Sequence, residues 1–324
     1  MHNDRRITPF PVHPMEKRQT LFAARLSRHG LAILALIATA TLHAETEATS
    51  APEPSGDDLR IREVFTSHLP RTLHAGGLRF SVHPHLGDFD VRDYLRVTTG
   101  VRYGLTSHWE ASVEGEGYFS HGFGDVGFFK KIGFSTLGVG TKYDLGTHPI
   151  KGWNTAIGFD FATPVGQPPA DLTDGMRHYH PYLVSSRRLT AQPGIRIFWG
   201  GGLDFVQHTD RPRKLQDNQL DDNATVLSAG AVWDRRSLHY TFEMSWASTR
   251  LVGHGQDDTL TLRPGIIWEV PWFSSRRPGR KILLGAALRA GFGPDGTDLG
   301  AGAKLRINFD PKSRHKNVAT EPAR

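Results

Sequence analysis

Leu238-His239-Tyr240-Thr241-Phe242-Glu243-Met244-Ser245-Trp246 is the stretch whose reading decides the fold. Apolar and polar residues alternate through it without a break. In an extended chain successive side chains point to opposite faces, so Leu238, Tyr240, Phe242, Met244 and Trp246 fall on one face and His239, Thr241, Glu243 and Ser245 on the other. The pattern recurs along the chain, behind an apolar run that reads as an export signal. One face apolar and the other charged is the pattern of a barrel with lipid outside and water inside.

Working outward, twelve candidate strands follow Gly77. They lie near 77–86, 94–105, 108–119, 132–145, 153–163, 179–189, 195–207, 224–234, 238–250, 258–270, 281–292 and 298–309. Ambiguous parity around Ser185 to Arg188, and a short alternating piece at Leu59 to Phe65, leave ten and fourteen strands as alternatives. Short connections (106–107, 146–152, 190–194, 235–237) alternate with longer polar ones (120–131, 164–178, 208–223). Short turns at one rim and long loops at the other are expected of an outer-membrane barrel. Aromatic placement agrees. Tyr103, Trp109, Tyr143, Trp153, Trp233, Tyr240 and Trp268 sit beside short turns, and Phe119, Phe161, Phe205, Trp246 and Phe292 at the opposite ends. Rings gather where a bilayer meets water, whereas a secreted β-sandwich has no reason to place them at both strand ends.

Composition bounds the rest. The 324 residues include no cysteine, which removes disulfides and thiolate metal sites. The formal charge is +6, but residues 1–44 hold six Lys/Arg and two acidic residues, so the remaining 33 basic and 31 acidic residues nearly balance and nucleic acid is not an expected partner. Leu31 to Leu42 is apolar and follows Arg25 and Arg28, with Ala40 and Ala44 as small residues at the cleavage point. Residues 1–44 therefore read as a signal peptide, with Met15 an alternative start. The expected order is then a linker segment at 45–76, the barrel at 77–309 and a polar tail at 310–324, in the cell outer membrane.

Several segments together resemble a known family. Tyr103-Gly104-Leu105-Thr106 with Trp109-Glu110, Gly122 to Val126, Gly140-Thr141-Lys142-Tyr143, Thr163-Pro164-Val165-Gly166 and His180-Pro181-Tyr182-Leu183 follow one another in order over most of residues 70–309. They are similar to segments of the transporter-like outer-membrane barrels associated with meta-pathway phenol degradation. The resemblance implies a channel for small solutes, hydrophobic or aromatic ones among them, and brings no catalytic residues.

Parity also assigns the lumen. Arg79, Arg96, Arg102, Glu114, Glu116, Lys142, Asp160, Asp204, Glu243, Arg263, Arg289, Lys304 and Arg306 are the candidate solute-lining residues. Their shared face follows from physics, since Arg or Lys facing hydrocarbon at mid-depth costs about 2–4 kcal/mol. Two roles are open to them: pairing that braces the barrel, or a constriction that selects solutes. Glu114 and Glu116 against Arg96 and Arg102 suggest a transverse field, and Lys304 and Arg306 beside Arg79 a basic patch that favours anions. His83/His85 and His178/His180 each form a His-x-His pair of metal-ligand spacing, with no carboxylate tied to either. No Gly-x-Ser-x-Gly elbow or nucleophile-base spacing appears, so no enzyme and no cofactor is expected. The expected partners are outer-membrane lipids, the barrel-assembly machinery and small-molecule solutes. The alternative to an open channel is a structural or ligand-sensing barrel whose lumen is closed by salt bridges or by the 51–76 segment. An outer-membrane lipid-modifying enzyme is a further alternative.

Overall fold

The computed structural model describes residues 63–86, 94–121, 127–169, 172–210, 220–271, 280–294 and 296–309. The signal peptide, most of the expected linker and the polar tail lie outside the described residues. The described chain forms twelve strands: β1 Leu78–Leu86, β2 Tyr94–Gly104, β3 Trp109–Ser120, β4 Ile132–Ile150, β5 Trp153–Pro164, β6 Met176–Arg188, β7 Ile195–His208, β8 Ala224–Arg235, β9 Leu238–Ser248, β10 Asp258–Glu269, β11 Arg280–Gly293 and β12 Gly296–Phe309. Each pairs antiparallel with its neighbours in sequence, and β1 pairs with β12 to close the ring. Closure leaves no strand edge exposed, the condition for a sheet to stand in lipid.

The deciding stretch behaves as its period requires. It forms β9, in register with β8 (Trp233 opposite Tyr240) and β10 (Met244 opposite Leu262). Tyr240 and Phe242 are 43% and 46% exposed, while His239 and Glu243 on either side of them are 0% and 2%. The barrel is thus inverted relative to a soluble protein, with its apolar row outward. Val101, Val113, Val139, Ile157, Leu284 and Leu288 continue an exposed aliphatic band, and Tyr103, Trp109, Tyr143 and Trp233 stand exposed at its short-turn end. Trp153 departs from that belt: it is 9% exposed, with its ring edge-on to Trp199 at 6.5 Å.

Two strands run further than the alternation indicates. β4 continues to Ile150 through register shifts at Asp144/Gly146 and Gly146/Ile150, and bulges break the period-two signal. β6 starts at Met176, because His178 faces the lumen paired with Asp174 and Asp204 instead of marking a loop. The ambiguity at Ser185 resolves in the same way. Ser185 and Thr155 share the outward face and hydrogen-bond each other through their hydroxyls at 2.8 Å, which lets both be buried there.

A charge placed on the outward band should destabilise the barrel. Leu288 is 62% exposed on the outer face of β11. Leu288→Arg is expected to lower stability by about 2–4 kcal/mol in a bilayer. Denaturant titration of protein refolded into lipid vesicles measures this, and an unchanged midpoint would contradict the lipid-facing assignment.

Candidate functional site

The lumen is not empty. Residues 63–76, the end of the segment read as a linker, lie inside it. The segment enters at the short-turn rim, where the Gly76 N–H donates to the Gly104 carbonyl at 2.8 Å and the Gly104 N–H to the Gly77 carbonyl at 2.9 Å. Glycine is required at 104, since a Cβ there would stand 2.1 Å from the His74 carbonyl oxygen. Inward from the rim, the Thr72 hydroxyl donates to the Ser107 carbonyl at 3.1 Å and the Leu73 N–H to Glu110 Oε2 at 2.9 Å. The Lys142 ammonium donates to the carbonyls of Leu69 (2.8 Å) and Arg71 (3.1 Å) while paired with Glu110 at 3.1 Å. His68 follows, stacked on Tyr182 with ring centroids 4.8 Å apart. Its Nε2 meets Asp160 Oδ2 at 3.1 Å and its Nδ1 meets the Arg102 guanidinium at 3.3 Å. Arginine can only donate, so Nδ1 is the acceptor and the Nε2 proton goes to Asp160.

At the tip the chain turns back, with the Val64 N–H donating to the Ser67 carbonyl at 3.0 Å. A non-regular backbone in a closed lumen must find partners for every N–H and C=O. The barrel supplies them as charges. Glu243 accepts the N–H groups of Phe65 (2.8 Å), Thr66 (3.1 Å) and Ser67 (2.8 Å) and the Thr66 hydroxyl (3.0 Å). Lys304 donates to the Val64 and Phe65 carbonyls, and Arg306 to those of Glu63 and Val64. Arg263 donates to the Thr66 hydroxyl.

The carboxylate of Glu63 is the centre of this arrangement. It lies 3.5 Å from both Arg79 and Arg102 and 3.6 Å from Arg306, and is hydrogen-bonded to Lys304. All five side chains are buried. Burial by itself would push the Glu63 carboxyl up; Arg102, Lys304, Arg306 and Arg79 hold it well below the usual carboxylate range.

An apolar seat lies beside the charges. Val64, Phe65 and Leu69 form one buried cluster with Phe198, Val232, Ile267, Leu283 and Ala287, which the inward parity of β7, β8, β10 and β11 turns into the lumen. Phe65 fits because Gly265 and Gly285 have no side chains: a Cβ there would come within 2.5 Å and 3.0 Å of its ring.

Between the tip and the long-loop rim a cup of about 480 Å³ remains. Its floor is Glu63, Phe65, Thr66 and His68. Its charged lining is Arg96, Arg102, Arg263, Arg289 and Lys304 with Glu114, Glu116 and Asp160. Nearer the rim, Tyr94, Tyr118 and Leu172 form a second buried cluster.

Of the lumen residues assigned by parity, Arg79, Arg102, Lys142, Asp160, Glu243, Arg263, Lys304 and Arg306 converge on the plug. Arg96, Glu114, Glu116 and Arg289 line the cup, where Arg289 pairs with Asp298 at 2.7 Å and Glu116 lies 3.6 Å from His85. Asp204 stands apart, 3.0 Å from His178, and is not among the cup's lining residues. Three details of the sequence reading change. Arg102 and Glu114 are on adjacent strands and form a 3.0 Å ion pair along one wall, so they do not oppose each other across the lumen. The basic patch at Arg79, Lys304 and Arg306 forms as expected, but the anion it holds is the chain's own Glu63. His178 has two carboxylate partners that spacing did not reveal, Asp174 and Asp204. Among the described residues no cluster of His, Asp and Glu is arranged to hold a metal ion.

Glu63, Phe65 and His68 were not recognisable as site residues. The one available signal lay opposite them, in the large apolar side chains of Phe198, Val232, Ile267 and Leu283 at lumen-facing positions. A water-filled pore gives such side chains no reason to point inward.

No protein-family model matches the sequence, and no curated protein does. Among solved structures the chain is similar to the KdgM porin, with 10% identity and a TM-score of 0.41 over 72% of this chain and 98% of that one. It is also similar to an outer-membrane channel from Pseudomonas putida F1, with 10% identity and a TM-score of 0.49 over 74% and 97%. For the NanC porin the identity is 11% and the TM-score 0.41, over 72% and 99%.

The position of Glu63 makes a pH-dependent prediction. A carboxyl with a folded-state pKa below its unfolded value contributes stability in full above about 4.5 and loses it as pH falls through the lower value. Removing one partner of a buried ion cluster costs about 3–5 kcal/mol. Glu63→Gln is therefore expected to lower amide-exchange protection at Phe65, Thr66 and Ser67 by about two to four orders of magnitude at neutral pH. The difference from wild type should close only well below pH 4.5. Equal protection in the two proteins at neutral pH would remove Glu63 from its central place.

Proposed function

We propose that the protein is an outer-membrane channel for small polar solutes, closed on its periplasmic side by its own N-terminal segment. The observation that carries this reading is the Glu63 carboxylate buried among Arg79, Arg102, Lys304 and Arg306. A purely structural barrel has no need of a polar lumen sealed by a segment that the strands do not require for closure. The short-turn rim faces the periplasm in barrels of this type, which leaves the cup facing outward. A solute enters the cup, and passage requires the 63–73 segment to leave its seat. That step is made reversible by its construction from ion pairs and three apolar anchors.

The cup's lining favours polar solutes over hydrocarbons. Charged and hydrogen-bonding side chains make up most of its lining residues, and Phe65 is the large apolar side chain presented from an inward position, since Leu86, Val139 and Phe161 belong to the outward rows of β1, β4 and β5. An apolar solute displaces water from charges there and gives nothing back. The hydrophobic or aromatic substrates implied by the family resemblance are therefore not the solutes this lumen suits best.

The second reading, a closed barrel that senses a ligand without passing it, is favoured by the same dense packing around Phe65. Liposome swelling separates the two. Wild-type protein is expected to admit sugars and amino acids slowly, and the double variant Glu63→Ala/Glu243→Gln several-fold faster. If that variant still migrates as a folded barrel before boiling, exchanges its plug amides rapidly and admits no solute, the channel reading is lost and the closed barrel stands.

A further inference from the structure

The cup carries charges of both signs, unevenly spread around its wall: Arg96 and Arg102 of β2 stand beside Glu114 and Glu116 of β3, and Asp160 of β5 adds a third carboxylate on that side. Arg263 of β10 and Arg289 of β11 share one side. Glu114 and Glu116 of β3 lie five strands from β10 around the twelve-strand ring, close to diametrically opposite. Glu114 holds Arg102 through Oε1 at 3.0 Å, and its side chain is 39% exposed to the cup. Arg263 uses one N–H on Thr66, and a guanidinium has five. Arg289 is paired with Asp298, and Arg102 is shared with Glu63 and Glu110 below. Glu114, Glu116 and Asp160 therefore outnumber the arginine beside them, Arg96, and the field across the cup runs from the Arg263 wall to the Glu114 wall.

Three classes of solute fit such a space poorly. A simple anion drawn to Arg263 meets Glu114, Glu116 and Asp160 with the rest of its surface, a simple cation meets the arginines, and a hydrocarbon meets neither usefully. We propose that the cup binds small zwitterions whose ammonium and carboxylate stand apart, with the carboxylate on Arg263 and the ammonium on Glu114, a chemistry shared by short peptides with free ends. The inference rests on the reading of the lumen as a solute path, and it adds the solute's class. Size agrees with it. Ligand sites commonly enclose about 300–1,000 Å³, the cup has about 480 Å³, and an extended tripeptide spans roughly 10 Å.

Three peptides of nearly one shape test it on the full-length folded protein in detergent, by calorimetric titration at neutral pH and low salt. Triglycine carries both charges, N-acetyl-triglycine only the carboxylate, and triglycine amide only the ammonium. Triglycine is expected to bind tightest, with each blocked peptide roughly fivefold weaker, the scale of one partly hydrated ion pair. Arg263→Gln should abolish the advantage of triglycine over its amide and keep its advantage over the acetylated peptide. Glu114→Gln should do the reverse, with heat-dependent gel migration confirming that each variant is folded. Equal affinity for the three peptides, tightest binding of the acetylated one, or no binding of any overturns the proposal. Each of those results leaves the channel reading intact if the plug-weakened variant still swells liposomes; binding without swelling would remove passage and keep the site.

Discussion

A buried charge is tolerated only when something nearby replaces the water it has lost, and this constraint governs the molecule from the outside in. The outward face of the sheet must be apolar to meet hydrocarbon, so the ionisable residues of the strands are driven to the lumen. At the short-turn half of the barrel they are too crowded to be left to bulk water, and Arg79, Arg102, Lys304 and Arg306 are all buried around one point. Four cations so close repel one another. The Glu63 carboxylate makes the cluster possible by standing among them, and the backbone carbonyls of Glu63, Val64 and Phe65 accept further hydrogen bonds from Lys304 and Arg306.

The plug is therefore selected by two kinds of complementarity at once. Its polar backbone is matched to lumen charges, as with Glu243, which satisfies three consecutive N–H groups at the tip turn. Its side chains are matched to the lumen's apolar quarter, where Gly265 and Gly285 leave the space that the Phe65 ring fills. Neither would serve alone. Ion pairs without the apolar seat would exchange readily with solvent, and the apolar contacts without ion pairs would leave the cations of β1 and β12 buried without a carboxylate partner.

The strands were legible because each repeats one physical demand, lipid on one side and water on the other, over about eleven residues. Parity alone placed Lys304, Arg306 and Arg79 side by side and put Glu243 inward. It failed where the demand lapses. Gly146 to Ile150 extends β4 through bulges that have no alternation, and the polar start of β6 reads as a loop because Asp174 and Asp204, remote from it in pattern, make His178 a lumen residue. The plug was the least legible part. Glu63-Val64-Phe65 alternates like a strand, yet its partners lie on eight different strands and its conformation is a turn. Only a segment closing the lumen was foreseeable, not which residues of it would anchor. The inward Phe198, Val232, Ile267 and Leu283 were the overlooked clue, since apolar side chains at water-facing parity imply an apolar ligand, and here the ligand is the chain itself.

The division of the lumen into a packed half and a hydrated half has a consequence for how the two communicate. Arg102 belongs to both: it faces Glu63 and Glu110 below and Glu114 at the wall of the cup, and it touches His68 on the floor. Arg263 likewise bonds the plug's Thr66 while lining the cup. A solute that draws Glu114 or Arg263 toward itself necessarily takes an interaction away from the plug or from the cation that holds it. Occupancy of the cup and seating of the plug thus compete for the same side chains. By linkage, seating of the plug weakens solute binding in the cup by the same factor by which a bound solute weakens seating.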